Sequence, residues 1–168
     1  MMPDRLGELL DEMTETLAPD FHENRLAEIA TVIPHGISIL PAPCDPLDDC
    51  NCVMYAMGLV GMIEDPSGRP FGKFYADTVY LSFLIESGAL TPTEDVEGAL
   101  AVWYSGGTVT HVGIVQMPGR MASKWGIGQL YEHGLFEIPM SYGNEIRFFE
   151  PLNPDRAFLF LSRHYGVK

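Results

Sequence analysis

The sequence predicts an α+β fold, with helices in the first half of the chain and an antiparallel β-sheet in the second. Two observations support this order. Residues 5–17 and 21–32 carry apolar side chains at helical spacing, whereas the runs that follow Gly98 are rich in β-branched and aromatic residues and are separated by glycine-containing turns. Because 168 residues are a usual size for one domain, we expect a single domain over 1–168, with residues 1–33 as an N-terminal helical extension.

The first half of the chain predicts two further helices. A proline-rich loop over residues 34–50 follows the N-terminal helices. Residues 51–61 are almost wholly apolar and end in glycine, which predicts a buried helix capped by the carboxylates just ahead of it. The stretch 74–87 carries an apolar stripe and is followed by Gly88, which predicts the next helix. An acidic turn then leads to the strands.

The second half predicts an antiparallel meander. The runs 99–105 and 111–117 are joined by GGTVT, and the run 120–125 follows a Pro-Gly turn. The runs 135–139 and 145–150 are candidates for additional strands. The tail AFLFLSRHY is compatible with a strand or with a helix.

The composition disfavours nucleic acid and membrane as partners. The formal net charge of -13 at pH 7 repels phosphate backbones and anionic lipid surfaces, although it also serves solubility. No apolar run approaches the roughly 18 residues of a membrane span. The N-terminal segment lacks the basic and apolar regions of a Sec signal. We therefore expect a cytoplasmic protein, or one exported without a Sec signal peptide.

Cysteine and histidine give the most specific chemical signal. A nucleophilic cysteine acts as the thiolate, which the start of a helix favours, and a histidine on a facing strand takes the thiol proton. Cys52 opens the apolar helix, and His111 opens the run HVGIV. We therefore predict Cys52 as the nucleophile and His111 as the base.

These segments resemble a known superfamily. Cys52 with its apolar helix, followed by GALAVWYSGGTVTHVGIVQMPGRMASKWG, in which His111 lies about 60 residues after Cys52, resembles the NlpC-type and CHAP-type cysteine peptidases and amidases over residues 45–126. The phrases Asn-Cys, SKWG, YEHGLF and SYG also resemble an uncharacterised bacterial branch of papain-like proteins. The resemblance implies a papain-like (NlpC-type) core at residues 45–150. It also implies hydrolysis of a peptide or protein amide by a Cys-His pair.

The resemblance implies a third residue, on the strand after the histidine strand, that orients the imidazole. Ser123 lies at this place, where the family has a histidine, asparagine or glutamine. A serine hydroxyl brings no charge to stabilise imidazolium, so Glu132, His133, Asn144 or a main-chain carbonyl are alternative orienters. His133 itself falls in a stretch that we expect to form an exposed loop. A catalytically inactive papain-like fold that acts as a binding or protein-interaction module is the alternative function.

Cys50 is an alternative nucleophile. Asp49-Cys50-Asn51 resembles the Asp-Cys-Ser opening of many NlpC-type domains. Cys52 is favoured because it stands directly against the apolar helix. Asp49 then falls at a cap position rather than beside the nucleophile, where a carboxylate would raise the thiol pKa.

The sequence predicts no cofactor. Cys44, Cys50 and Cys52 lie close together near His35, but a zinc site needs a second pair of ligands at a distance, and none is spaced for it. No Walker-type loop or G-x-G-x-x-G sequence supports a nucleotide. The clustered cysteines also cannot form a disulfide between distant parts of the fold.

Overall fold

The computed structural model describes residues 2–14, 19–45, 50–60, 76–126 and 128–164 of the chain. These residues form five α-helices and a seven-stranded antiparallel sheet, which confirms the predicted α+β class. The helices are α1 (Met2–Leu10), α2 (Pro19–Ala30), α3 (Cys52–Ala56), α4 (Thr78–Glu86) and α5 (Pro154–His164). The strands are β1 (Ser38–Leu40), β2 (Pro92–Thr93), β3 (Leu100–Ser105), β4 (Thr108–Met117), β5 (Arg120–Lys124), β6 (Leu130–Gly134) and β7 (Glu145–Phe149).

The sheet has the strand order β1-β6-β5-β4-β3-β7-β2. Strands β3 to β6 follow one another in both sequence and space, which confirms the predicted meander. The turn between β3 and β4 is formed by Gly106 and Gly107, whose φ angles of 58° and 82° lie in the left-handed region that favours glycine. The predicted turn GGTVT is therefore too long, because β4 already begins at Thr108.

The two faces of the sheet have different coverings. Successive residues of a strand point to opposite faces. The face that carries Val102 and Val112 packs against α3, α4 and α5, and we call it the helix face. The face that carries Trp103 and Tyr131 is called the aromatic face. Strand pairing places Trp103 opposite His111, and α1 and α2 pack with Tyr131.

Helix α3 is much shorter than predicted. It ends at Ala56 because Gly58 adopts a left-handed φ of 70° and forms a Schellman C-cap, in which the Leu59 N–H donates to Met54 O and the Gly58 N–H donates to Tyr55 O. The apolar run continues past this point, and the predicted end at Gly61 is wrong. The same cap at Gly88 ends α4 as predicted, with the Ala89 N–H donating to Leu84 O.

The N-cap of α3 also differs from the prediction. The cap is Asn51, whose side-chain oxygen accepts a hydrogen bond from the Met54 N–H at 2.9 Å, while its amide nitrogen donates to Ala76 O at 2.7 Å. The carboxylates predicted to form the cap, Asp48 and Asp49, lie outside the described residues. The amide of Asn51 thus fixes the start of α3 to the chain ahead of α4.

The local sequence patterns predict the wrong positions for several short strands. Strand β1 lies inside the predicted proline-rich loop, and β2 lies inside the predicted acidic turn. Strand β6 occupies Leu130–Gly134 rather than 135–139, because its pairing with β5 and β1 buries residues whose sequence is polar. The C-terminal tail is helix α5, one of the two alternatives.

The N-terminal segment is helical as predicted, but part of it is a 3₁₀ helix rather than an α-helix. Helix α1 gives way to a 3₁₀ turn at Asp11–Thr14, and α2 follows. The end of the first predicted helix, at residues 15–17, lies outside the described residues. No helix in the described ranges is long and apolar enough to cross a membrane.

Candidate functional site

Cys52 is the free cysteine of the chain, and it is the first residue of α3. Cys44 and Cys50 form a disulfide that spans six positions of sequence. Cys50 therefore has no thiol in this structure, and its assignment as an alternative nucleophile is corrected. The disulfide closes a short loop ahead of α3 and does not join distant parts of the fold.

The Cys52 thiol interacts with strand β4 at Val112, which lies beyond the last paired residues of β4 and β5. The backbone pairing of these strands ends at Ile114 and Ala122. The Val115 N–H donates toward β3, and since successive N–H groups of a strand alternate in direction, the Val112 N–H points toward β5. Interaction with the backbone N–H of Val112 lowers the pKa of the Cys52 thiol, so the thiol lies near this N–H.

The thiol is protonated at neutral pH. Burial raises the pKa of Cys52 to about 11, although hydrogen bonds from the Val112 and Val53 N–H groups and the charge of Lys124 act to lower it. Nucleophilic attack by Cys52 therefore needs a base that removes the proton.

His111 directly precedes Val112, and its side chain is fully buried on the aromatic face. Burial, together with the charge of His133, lowers the pKa of the His111 imidazole well below 6.5. Both of its ring nitrogens lack a hydrogen-bond partner among the described residues. An unsatisfied buried polar atom is rare and marks a place where another group can bind. The neutral imidazole therefore has a free lone pair for a proton.

The ring of Tyr142 covers His111. The two rings are parallel, with centroids 3.9 Å apart and planes inclined by 4°. Trp103 contacts His111 as well, at 5.3 Å between centroids. Burial is the main cause of a Tyr142 pKa well above its usual range, and the charge of Cys52 adds to it. No direct hydrogen bond joins Cys52 and His111 in this structure, because Cys52 packs on the helix face of the sheet and the His111 side chain lies on the aromatic face.

Ser123 does not orient His111. Its hydroxyl oxygen lies 2.6 Å from Nε2 of His133 and accepts a hydrogen bond from the Trp125 indole at 3.1 Å. The assignment of Ser123 as the orienter of His111 is therefore corrected. Register explains the difference, because Ser123 shares a face with both histidines but only His133, on the neighbouring strand β6, lies within its reach.

His133 is fully buried and is not in an exposed loop, so that prediction is wrong. Its Nδ1 lies 2.7 Å from Gly134 O, and a neutral ring with hydrogen on Nδ1 donates there and accepts from Ser123 at Nε2. Burial lowers the pKa of His133 to about 4. This histidine is a satisfied structural group and does not hydrogen-bond to His111.

The other two alternative orienters lie elsewhere. Glu132 pairs with Ala122 across the strands, on the helix face, and its carboxylate lies 3.9 Å from the Arg120 guanidinium. Asn144 is exposed in the loop before β7. The structure brings neither residue to His111.

Two residues of the site were not predicted from the sequence. Lys124 is fully buried at the end of β5, and Tyr142 belongs to the 3₁₀ turn Met140–Tyr142. The phrases SKWG and SYG contain them, but no spacing rule links either residue to Cys52. A lysine at a position whose alternation places it on the covered helix face was the available signal. Among the described residues, no group of three or more His, Cys, Asp or Glu side chains is placed to hold a metal ion.

Comparison with known proteins gives no match, since neither a family model nor a curated protein nor a solved structure is similar to this chain. The candidate site consists of Cys52, His111, Lys124 and Tyr142.

Proposed function

We propose that this chain is a cysteine-dependent amide hydrolase (a peptidase, amidase or deamidase) with a papain-like fold of the NlpC type. One observation carries the proposal. The free Cys52 thiol interacts with the backbone N–H of Val112, the residue directly after His111, and the buried ring nitrogens of His111 have no partner among the described residues. The packing of α3 on β4 supports the papain-like arrangement.

The pKa shifts favour a general-base mechanism over a resting ion pair. His111 removes the thiol proton as the Cys52 sulfur attacks the substrate carbonyl, and the carbonyl oxygen becomes an oxyanion that the Cys52 N–H stabilises. For this step the imidazole and the thiol must form a hydrogen bond that they do not make in this structure, since catalytic hydrogen bonds often form fully only when substrate is bound. His111 then gives the proton to the leaving amine, and the acyl group remains on sulfur as a thioester.

Hydrolysis of the thioester completes the cycle. His111 takes a proton from water, the resulting hydroxide attacks the acyl carbon, and the carbon–sulfur bond breaks. The product is a carboxylic acid, and the proton returns to the Cys52 sulfur. The peptide or protein amide is thus cleaved without a cofactor.

An activated ester tests both halves of this cycle. With p-nitrophenyl acetate, we expect one acetyl group on Cys52 in the intact mass, followed by its loss as nitrophenolate release continues. Cys52→Ala should abolish acylation, and His111→Ala should slow turnover about 100-fold or more. His22→Ala, which removes an equally buried histidine from α2, is the matched control and should retain turnover. Equal turnover in His111→Ala and the wild type would overturn the proposal.

The alternative function is a binding or protein-interaction module with the same fold and no catalysis. The raised pKa of the Cys52 thiol favours this alternative, because little thiolate is present at pH 7. The two functions differ in deacylation. If acetyl-Cys52 accumulates at the rate of a simple thiol, persists, and is unaffected by His111→Ala, the chain is a binding module.

A further inference from the structure

The disulfide and the free thiol of this chain lie together at the start of α3. Cys44 and Cys50 form the disulfide, and the free Cys52 follows Cys50 by two positions. Cys50 has 3% relative exposure and belongs to the hydrophobic cluster of the helix face, and Cys44 and Cys52 pack against the same cluster. The disulfide is therefore part of the packing around the first turn of α3.

The two halves of the disulfide differ in exposure. Cys50 is buried, whereas Cys44 is partly exposed and is followed by the exposed Asp45. Thiol–disulfide exchange requires that an attacking thiolate reach one of the two sulfurs, and the exposed disulfides of proteins are the labile and regulatory ones. A small thiol in solution therefore reaches this disulfide from the side of Cys44.

Opening of the disulfide acts on Cys52 through the chain. Asn51 joins Cys50 to Cys52, which is itself only partly exposed, and the Asn51 side chain caps α3 at the Met54 N–H. A disulfide limits the conformations of the segment that it closes, and a shielded group reacts in proportion to the population of locally open conformations. Release of Cys50 therefore increases the population in which the start of α3 is open.

We propose that the Cys44–Cys50 disulfide is a redox switch for Cys52, which shields this thiol while the disulfide is closed and makes it accessible when a small thiol reduces the disulfide. The inference rests on the proposed function for its catalytic meaning, because Cys52 is the candidate nucleophile. The change in accessibility is independent of turnover.

Reduction of the disulfide proceeds in two steps, with a small thiol such as glutathione as the reductant. One glutathione thiolate attacks the Cys44 sulfur and forms a mixed disulfide, and Cys50 leaves as a thiolate that takes a proton. A second glutathione thiolate attacks the glutathione sulfur of the mixed disulfide, and Cys44 leaves and takes a proton. Two glutathione molecules are thus oxidised to glutathione disulfide, and Cys44 and Cys50 are reduced to thiols.

Alkylation of the folded protein by iodoacetamide tests the switch. The variant Cys44→Ser/Cys50→Ser keeps Cys52 as its single thiol and reproduces the open form. We expect Cys52 to be labelled about fivefold faster or more in this variant than in the oxidised wild type. The wild type reduced by glutathione should label Cys52 at the faster rate, as measured from fragment masses, and re-oxidation by glutathione disulfide should restore the slower rate.

Ile29→Val on α2 is the matched control, because it removes a buried methyl group from a different hydrophobic cluster and leaves the disulfide in place. It should label Cys52 at the wild-type rate, which separates release of the disulfide from a general loss of stability. Circular dichroism establishes that each form is folded. Equal labelling of Cys52 in the oxidised and reduced wild type, or equally fast labelling in Ile29→Val, would overturn the inference.

The outcomes also separate this inference from the proposed function. Faster labelling of Cys52 after reduction, in a protein that never turns over p-nitrophenyl acetate, supports the switch and refutes the hydrolase. Turnover that depends on His111, together with labelling of Cys52 that is equal in both redox forms, supports the hydrolase and refutes the switch.

Discussion

The ring of Tyr142 lies parallel on the imidazole of His111, at 3.9 Å between centroids. The turn that carries Tyr142 is held from two sides. The Thr110 hydroxyl donates to Tyr142 O, and Asp11 Oδ1 accepts from the Ser141 N–H at 3.0 Å and from the Ser141 hydroxyl at 2.8 Å. The N-terminal extension, through Asp11, therefore holds the turn whose Tyr142 ring stacks on His111, the candidate base.

Asp11→Ala should loosen this cover. The loss of the two hydrogen bonds should cost about 1 kcal/mol of turn stability, because both bonds are exposed to solvent. The rate at which iodoacetamide alkylates Cys52 should therefore increase about fivefold. Glu8→Ala removes an exposed carboxylate from α1 and serves as the control. An unchanged rate in Asp11→Ala would show that the N-terminal extension does not limit access to the thiol.

Tyr142→Ala should expose the His111 ring to solvent. Since burial is the main cause of the low pKa of His111, exposure should move this pKa up toward 6.5, as measured by NMR titration of the imidazole protons. Tyr142→Phe keeps the stacked ring and should leave the His111 pKa low. The stacking contact has no influence on ionisation if both variants titrate alike.

Acid should destabilise the fold through His133. The folded pKa of about 4 lies below the unfolded value of 6.5, so the unfolded state binds the proton first as pH falls. The contribution of neutral His133 to the free energy of unfolding is fully present above about pH 6.5 and is lost at about 1.4 kcal/mol per pH unit down to about pH 4. The free energy of unfolding of His133→Asn, measured by urea denaturation, should therefore fall less steeply over this range. Equal pH slopes for the two proteins would contradict the burial of a neutral His133.

The number of cysteines that react with iodoacetamide should change when the disulfide is reduced. Of the three cysteines in the sequence, iodoacetamide should modify one, Cys52, before reduction and all three after reduction under denaturing conditions. The double variant Cys44→Ala/Cys50→Ala should lose about 2 kcal/mol of unfolding free energy, as expected for a short disulfide loop. Two or more labels on the unreduced native protein would contradict the disulfide.

Local patterns in the sequence are sufficient for the class and for part of the site. Helical spacing, glycine caps and β-rich runs predict the α+β class, the meander and the end of α4 at Gly88. The same patterns place Cys52 at the first residue of a helix and His111 on a strand. They fail at Gly58, because a long apolar run gives no sign of which of its glycines adopts a left-handed φ.

What the sequence by itself determined is therefore the class of the fold and the elements that carry Cys52 and His111, since both depend on local spacing. Only the tertiary structure decided which residues meet at the site. The register of β5 and β6 places Ser123 beside His133, and the pairing of β4 with β5 ends at Ile114 and Ala122, so the Val112 N–H near the thiol lies beyond it. Burial of Lys124 and stacking of Tyr142 join segments far apart in the chain, and such contacts follow from packing rather than from any local pattern.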